Sequence, residues 1–389
     1  MNINGRILFV DQSGNLGGAE WCLFDIVRGW SGDATVALFE SGAFAGKLRE
    51  QGVRIEVIGV TAKVKKQGGL LAWITAIPTA WQVIRALIKL LRTHDLLYAN
   101  TAKALVLGAL AARLTGKPLI YHLHDIVDAD HFSKANRTLL TSAGRWGARA
   151  VIANSLASAD AWKKAGGGNA PVHVIPNGFD PEPFAALPTR EEARALHGMP
   201  PGPLLVMVGR LAEWKGQHVL LEALRSCPGV IAWLVGSAMF TDEDREYERR
   251  LRTLADMPEL AGRVFFAGNR DEVGSIYAAA DVVVHASTAP EPFGRVIVEG
   301  MLASRPVIAS AAGGAMEIVE HEKTGLLVPP GDSEALASAI RRILEDTAYA
   351  ESIAIAGRKS AIARYGLDAI RAQVASVVAE VLKNERAQA

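Results

Sequence analysis

The chain has 389 residues, too many for one compact core and natural for two domains. Half of them are hydrophobic and 21% are charged, the composition of a globular rather than a disordered protein. Forty-two basic residues against 41 acidic ones leave a formal charge of +1, so no global field favours nucleic acid as a partner. The two cysteines, Cys22 and Cys227, stand in no metal-type spacing and form no disulfide framework, which suits a reducing cytosol.

The opening MNINGRILFV lacks a basic region, a long apolar stretch and a cleavage site, and reads as a first strand rather than a signal peptide. Apolar runs RILFVD, TVALFE, RIEVIGV, LLYAN, PLIYHLH, AVIANS and VHVIP then alternate with helical patterns, which signals a parallel sheet with crossover helices. After the first run comes the loop Gly14-x-x-Gly17-Gly18-Ala19-Glu20, whose glycines let the backbone approach a phosphate or sugar. It does not match the dinucleotide fingerprint G-x-G-x-x-G. Glu40, ending the second run, imitates the ribose-binding acid of a nicotinamide enzyme, so an oxidoreductase stays open as an alternative. The stretch Leu70–Leu91 is interrupted by Pro78, Gln82, Arg85 and Lys89, so it reads as a core helix with a wide apolar face and not a span. The alternative is a surface helix in peripheral contact with the inner membrane face, helped by Lys63, Lys65 and Lys66.

In YHLHDIVDADH, residues 121–131, three histidines and three aspartates look like a metal cluster. Two positions apart on a strand end, however, His122 and His124 point to opposite faces, and the spacing lacks a hydrolase metal motif, so no metal is expected. His124, last on its strand, is the candidate for contacting a reacting ligand, and His122 reads as a packed histidine. Asp128-Ala-Asp130 spells D-x-D and reads as an acceptor-side or solvated loop. The Pro- and Gly-rich segment IPNGFDPEPF, residues 175–184, reads as a linker between domains.

The pattern restarts with LLVMVGR, AWLVG, VFFAG, DVVVHAS, PVIAS and GLLVPP as strands. Directly after its first strand, Gly209-Arg210 leads to Lys215-Gly216, and the two cations can hold charge that develops on a leaving group. Gly268-Asn269-Arg270 offers backbone to a nucleobase edge or is a plain turn. In EPFGRVIVEGMLASRPVIAS, Glu291 lies on a loop, a helix starts near Gly294, and Glu299 follows five residues later. A helix start is a ready seat for a diphosphate, and five residues at 1.5 Å each put Glu299 about 7–8 Å along the axis. That is roughly the offset of a ribose from its diphosphate, so the two carboxylates could grip hydroxyls on either side. Asp332 is the expected N-cap of SEALASAIRRILED. Residues 367–386 form a last long helix with alanines and valines on one face. Both halves open with a buried strand, a Gly-bearing loop and a helix. They therefore read as two doubly wound α/β domains facing each other across a cleft, with ligands at the carboxyl ends of the strands.

Taken together, VGRLAEWKG, EPFGRVIVEGMLASRPVIAS, GGAMEIVEHEKTGLLVPPGD, the first-domain GGAE and the VIPNGFD linker resemble the retaining glycosyltransferases of the family-4, glycogen-synthase-like type. The resemblance spans nearly the whole chain and is densest over residues 206–332. It implies the GT-B fold: an acceptor-binding Rossmann-like domain over 1–180, a donor-binding one over 181–366, and a final helix, 367–389, crossing back to the first. It further implies that Glu291 contacts donor-sugar hydroxyls, Glu299 the ribose, and Arg210 and Lys215 the diphosphate. His124 would lie near the anomeric carbon and Gly17 and Gly18 beside the diphosphate. Phe293, Gly294, Arg295, Val296, Asn269 and Arg270 complete the donor set, with His124, Glu291, Arg210 and Lys215 as the catalytic residues. The expected activity is metal-free transfer of a hexose, without cofactor, from a nucleotide-sugar to a glycan or lipid-linked hydroxyl in polysaccharide or glycolipid biosynthesis. The donor is a UDP-sugar of the UDP-glucose type or GDP-mannose, and the site of action is the cytoplasm. The same fold would also suit a non-catalytic nucleotide-sugar- or glycan-binding protein, an epimerase, or a phosphorylase with a lysine-bound pyridoxal cofactor.

Overall fold

The computed structural model describes residues 5–59, 70–238, 241–270 and 272–388. The chain divides into two compact units, Met1–Gly178 with Leu367–Ala389 and Phe179–Gly366. The first is built on strands β1 (Ile7–Asp11), β2 (Ala34–Leu38), β3 (Arg54–Val57), β4 (Leu96–Ala99), β5 (Leu119–Leu123), β6 (Ala148–Ala153) and β7 (Val172–Val174). They form one parallel sheet in the order β3-β2-β1-β4-β5-β6-β7. The second unit holds β8 (Leu204–Val208), β9 (Ile231–Val235), β10 (Val264–Gly268), β11 (Val282–His285), β12 (Val307–Ser310) and β13 (Leu326–Val328), parallel in the order β10-β9-β8-β11-β12-β13. Every expected strand run carries one of these strands, so both halves are doubly wound α/β sheets.

Alternation along the strands explains the layering. In β1, Ile7 and Phe9 enter the core on one face of the sheet, while Leu8 and Val10 enter the core on the other. In β8, Leu205 and Met207 are separated in the same way from Leu204 and Val206. The helix Leu367–Gln388 returns to the first unit, where Ile370, Val374, Val377, Val378, Val381 and Leu382 share a core with Ile7, Phe9 and Tyr98. The helix Leu70–Leu91 buries Val83, Ile84, Leu87 and Leu91 against Leu8, Val10 and Leu97. Its second half is therefore a core helix, while Ile77 and Trp81 are exposed. The basic residues Lys63, Lys65 and Lys66 lie outside the described residues, and among those described no helix is long and apolar enough to cross a membrane. As expected, Asp332 caps the helix Ser333–Glu345, its Oδ1 accepting the Ala335 N–H at 2.9 Å.

In each sheet the strand order reverses between two adjacent strands, β1 and β4 in the first and β8 and β11 in the second. Crossover helices leave opposite faces there, and the chain parts at the carboxyl ends, which opens a crevice for ligands. The residues at these four strand ends are Asp11, Asn100, Gly209-Arg210 and His285-Ser287.

Candidate active site

In the second unit, Lys215 Nζ donates to Glu291 Oε1 at 2.8 Å and to Oε2 at 2.7 Å. Lys215 closes a 3-10 turn, Glu213–Lys215, after β8, and its ammonium lies 4.2 Å from the centre of the Trp214 ring. Trp214 O accepts the Thr288 N–H at 2.8 Å, which ties this turn to the loop after β11. Ser287 Oγ donates to Glu291 Oε2 at 3.0 Å, and His285 Nε2 is 3.3 Å from the same oxygen. Burial alone would raise the Glu291 pKa, but the Lys215 charge and the hydrogen bonds from His285 and Lys215 outweigh it and hold the carboxyl well below the usual carboxylate range. Glu291 is thus an ionised acceptor with its oxygens fixed in place. Its loop is pinned from behind: Gly314 N–H donates to Glu291 O at 2.8 Å, and a Cβ on Gly313, at φ 61°, would meet that oxygen at 2.2 Å.

The helix Arg295–Leu302 begins after Gly294, which adopts φ 106°. Glu299 sits on that helix, its Oε2 accepting from Tyr277 Oη at 3.0 Å and its Oε1 lying 3.5 Å from Arg295 Nε. Burial, and then the Glu299 charge, push the Tyr277 hydroxyl well above its ordinary pKa, so it remains a donor. The Arg295 guanidinium lies 4.5 Å from the centre of the Phe179 ring. Phe293 packs in the core against Phe179 and Tyr365, so it offers only backbone to a ligand. Val296 is partly buried against the same core. Arg210 is half-buried immediately beyond β8, and its carbonyl accepts from Gln217 Nε2 at 2.9 Å. Asn269 and Arg270 are exposed after β10, an edge strand two places from β8.

In the first unit, His124 Nε2 is 3.0 Å from Asn100 Oδ1. Asn100 Nδ2 donates to Asp11 Oδ2 at 2.7 Å and to Ala19 O at 3.1 Å, which orients its amide and makes His124 Nε2 the protonated nitrogen. Burial raises the Asp11 carboxyl pKa, and burial followed by the Asp11 charge raises that of Glu20. Glu20 Oε2 accepts the Gly17 N–H at 3.0 Å, so this amide of the glycine loop is turned inward. Gly18 is exposed at the start of the helix Gly18–Val27. Gly14 serves packing, since a Cβ there would meet Ser41 O at 2.4 Å. Glu40 is exposed beyond the end of β2.

One expectation is corrected. His122 and His124 do not point to opposite sides; their rings lie 4.0 Å apart. Because β5 ends at Leu123, the strand alternation no longer governs His124. His122 is buried, with Nδ1 2.7 Å from Tyr98 Oη. The metal-type group that results draws in no aspartate: atoms of Cys22, His122 and His124 lie within 4.8 Å of one another. Asp128 Oδ1 instead accepts from the backbone of Asp130 and His131 at 3.1 and 3.0 Å and pairs with His131 Nδ1 at 2.7 Å. The D-x-D sequence is therefore a local turn.

Sequence reasoning missed His285, Ser287, Tyr277, Asn100, Asp11 and Cys22 as site neighbours. A polar residue ending an apolar strand run was the available signal for His285, Asn100 and Asp11. Tyr277 and Cys22, inside helices, gave none.

Residues 16–183 match the family described as Glycosyltransferase Family 4, and residues 189–360 match Glycosyl transferases group 1. The chain is 30% identical over 301 residues, 74% of its length and 77% of the relative's, to a GDP-mannose-dependent alpha-(1-6)-phosphatidylinositol monomannoside mannosyltransferase of Mycobacterium tuberculosis. It is 34% identical over 168 residues to the lipopolysaccharide core biosynthesis glycosyltransferase LpsE of Rhizobium meliloti, a match that spans 43% of this chain and 47% of that protein. Among solved structures, Anabaena HepE in complex with UDP-glucose superposes with a TM-score of 0.88 at 39% identity, covering 97% of this chain and 100% of the other.

Proposed function

We propose, for a chain that belongs to the family-4 type of GT-B glycosyltransferases, a transfer of hexose from a UDP-sugar of the UDP-glucose type to a hydroxyl acceptor with retention of anomeric configuration. The observation that carries this reading is the pair of oriented carboxylates flanking one helix start. Glu291 is held by Lys215, Ser287 and His285, and Glu299 by Tyr277 and Arg295. The diphosphate takes the N–H groups that open the helix Arg295–Leu302, Glu299 takes the ribose hydroxyls, and Glu291 those of the sugar. Arg210 and Lys215 neutralise charge as the nucleoside diphosphate departs, and the leaving phosphate takes the acceptor proton. No metal enters these steps. His124, oriented by Asn100, is the group of the first unit assigned to the reacting sugar.

The UDP preference is supported by the 39% identity over nearly the full chain to the protein solved with UDP-glucose, against 30% to the GDP-mannose enzyme. The names of the relatives favour a glycan or lipid-linked acceptor, hence a cytoplasmic role in polysaccharide or glycolipid biosynthesis. Calorimetric titration with UDP, GDP, ADP and NAD, each with and without chelator, tests the donor site. Tight UDP binding insensitive to chelator is expected. Binding of NAD alone, or loss of binding with chelator, would sink the assignment, and GDP binding alone would replace the donor. Proton NMR of the first product then reads the anomeric configuration.

A further inference from the structure

Cys22 on a helix, and His122 and His124 at the end of β5, come from two stretches of the chain about a hundred residues apart, yet their ligating atoms lie within 4.8 Å of one another. Tetrahedral zinc with sulfur at 2.3 Å and nitrogen at 2.0–2.1 Å needs ligand atoms about 3.3–3.6 Å apart, so a closing of about an ångström completes the set. The surroundings match what a metal-bound imidazole needs, a partner on its other ring nitrogen. Tyr98 Oη lies 2.7 Å from His122 Nδ1, and Asn100 Oδ1 lies 3.0 Å from His124 Nε2. Asn100 is itself held by Asp11, which makes Nδ1 the lone-pair nitrogen of His124. His122 is only 2% exposed, and its Nε2 is buried without a hydrogen-bond partner in the structure, which is costly unless something binds there.

We propose that Cys22 Sγ, His122 Nε2 and His124 Nδ1 form a site for one soft divalent d-block ion, zinc being the reference, with the fourth coordination position open. One thiolate and two imidazoles discriminate against magnesium and calcium, which take oxygen ligands. The site shares His124 with the transfer reaction proposed above, so a bound ion withdraws that imidazole from the sugar. The ion is thus an inhibitory ligand, not a cofactor.

The test is a titration of the reduced full-length protein with Co2+, read by absorption. One equivalent is expected to produce a thiolate-to-cobalt charge-transfer band with the ligand-field bands of a four-coordinate site, and Zn2+ is expected to abolish both. Cys22→Ser removes the charge-transfer band and Cys227→Ser keeps it. Asn100→Ala weakens cobalt affinity about ten- to a hundredfold through the lost partner of His124. Should Cys22→Ser fold poorly by circular dichroism, His124→Ala at its half-buried position serves as the second ligand variant. A featureless cobalt titration, or a band that survives in Cys22→Ser and vanishes in Cys227→Ser, would overturn the site. Because the readout is spectral, it is independent of whether the protein transfers sugar.

Discussion

Lys215 and Glu291, 76 residues apart in the chain, meet in a two-pronged ion pair, Nζ lying 2.8 and 2.7 Å from the two carboxylate oxygens. Both side chains are mostly shielded, at 20% and 12% exposure. In this geometry the cation assigned to the departing diphosphate also fixes the carboxylate assigned to the sugar. A donor that draws on Lys215 therefore acts on Glu291 at the same time.

Breaking such a shielded pair from one side leaves a charge without its partner. Lys215→Ala is expected to destabilise the protein by about 2–3 kcal/mol, below the range for fully buried pairs because both groups retain some solvent. Lys215→Ala combined with Glu291→Gln should recover part of that loss. Urea unfolding of the two single variants and the double variant checks it, and strictly additive losses would show that the pair is not coupled.

The same pair sets a pH dependence. The Glu291 carboxyl is held below its ordinary value of 4.5 in the folded state. A depressed carboxyl contributes stability that is fully present above the unfolded value and is lost as pH falls towards the folded one. The Tm gap between wild type and Glu291→Gln should therefore be constant above about pH 5 and narrow steadily on acidification to about pH 3. A gap that stays constant over that lower range would refute the assignment.

Gly313 and Gly331 both adopt positive φ, 61° and 77°, but differ in surroundings. A Cβ on Gly313 would meet Glu291 O at 2.2 Å, whereas at Gly331 nothing lies within 4 Å. Gly331→Ala should cost about 1 kcal/mol, the effect of the backbone conformation alone. Gly313→Ala should cost clearly more and lose most turnover, since the Glu291 loop must move. Thermal melts and a donor-hydrolysis assay separate the two, and equal costs would mean the loop yields freely.

Asn100 acts through His124. Its replacement by Ala removes the 3.0 Å bond that selects the imidazole tautomer and orientation. We expect kcat to fall about tenfold or more from misorientation. The KM for the donor should stay within about twofold if His124 serves turnover rather than donor binding. A rise in KM at constant kcat would assign Asn100 to binding instead.

Tyr277→Phe removes the hydroxyl that donates to Glu299 at 3.0 Å without changing the ring packed in the core. A hydrogen bond to a charged group is worth about 1.5–3 kcal/mol, but Arg295 still orients Glu299. UDP affinity should drop about tenfold by calorimetry. Unchanged affinity would take Glu299 away from the ribose.

Local rules carried the sequence reading a long way. Short, nearly unbroken apolar runs marked the strands of both sheets, as strands covered on both faces require, and Asp332 was readable as a cap from its place before an apolar helix. The spacing of Gly294 and Glu299 was also legible, because the rise of a helix depends on a handful of consecutive residues. The same reasoning failed at His124, where one residue beyond the end of β5 sufficed to cancel the alternation rule.

The sequence by itself determined the class of fold, the place where a helix start meets two glutamates, and the cations that follow the first strand of the second unit. Only the tertiary structure decided which groups hold them: Lys215, His285 and Ser287 on Glu291, Tyr277 on Glu299, and Asn100 on His124. The physical reason is sheet order. Adjacency of β1 with β4 and of β8 with β11 brings together strand ends 89 and 77 residues apart, Asp11 to Asn100 and Val208 to His285. That choice rests on the packing of whole layers, which no short window of residues encodes.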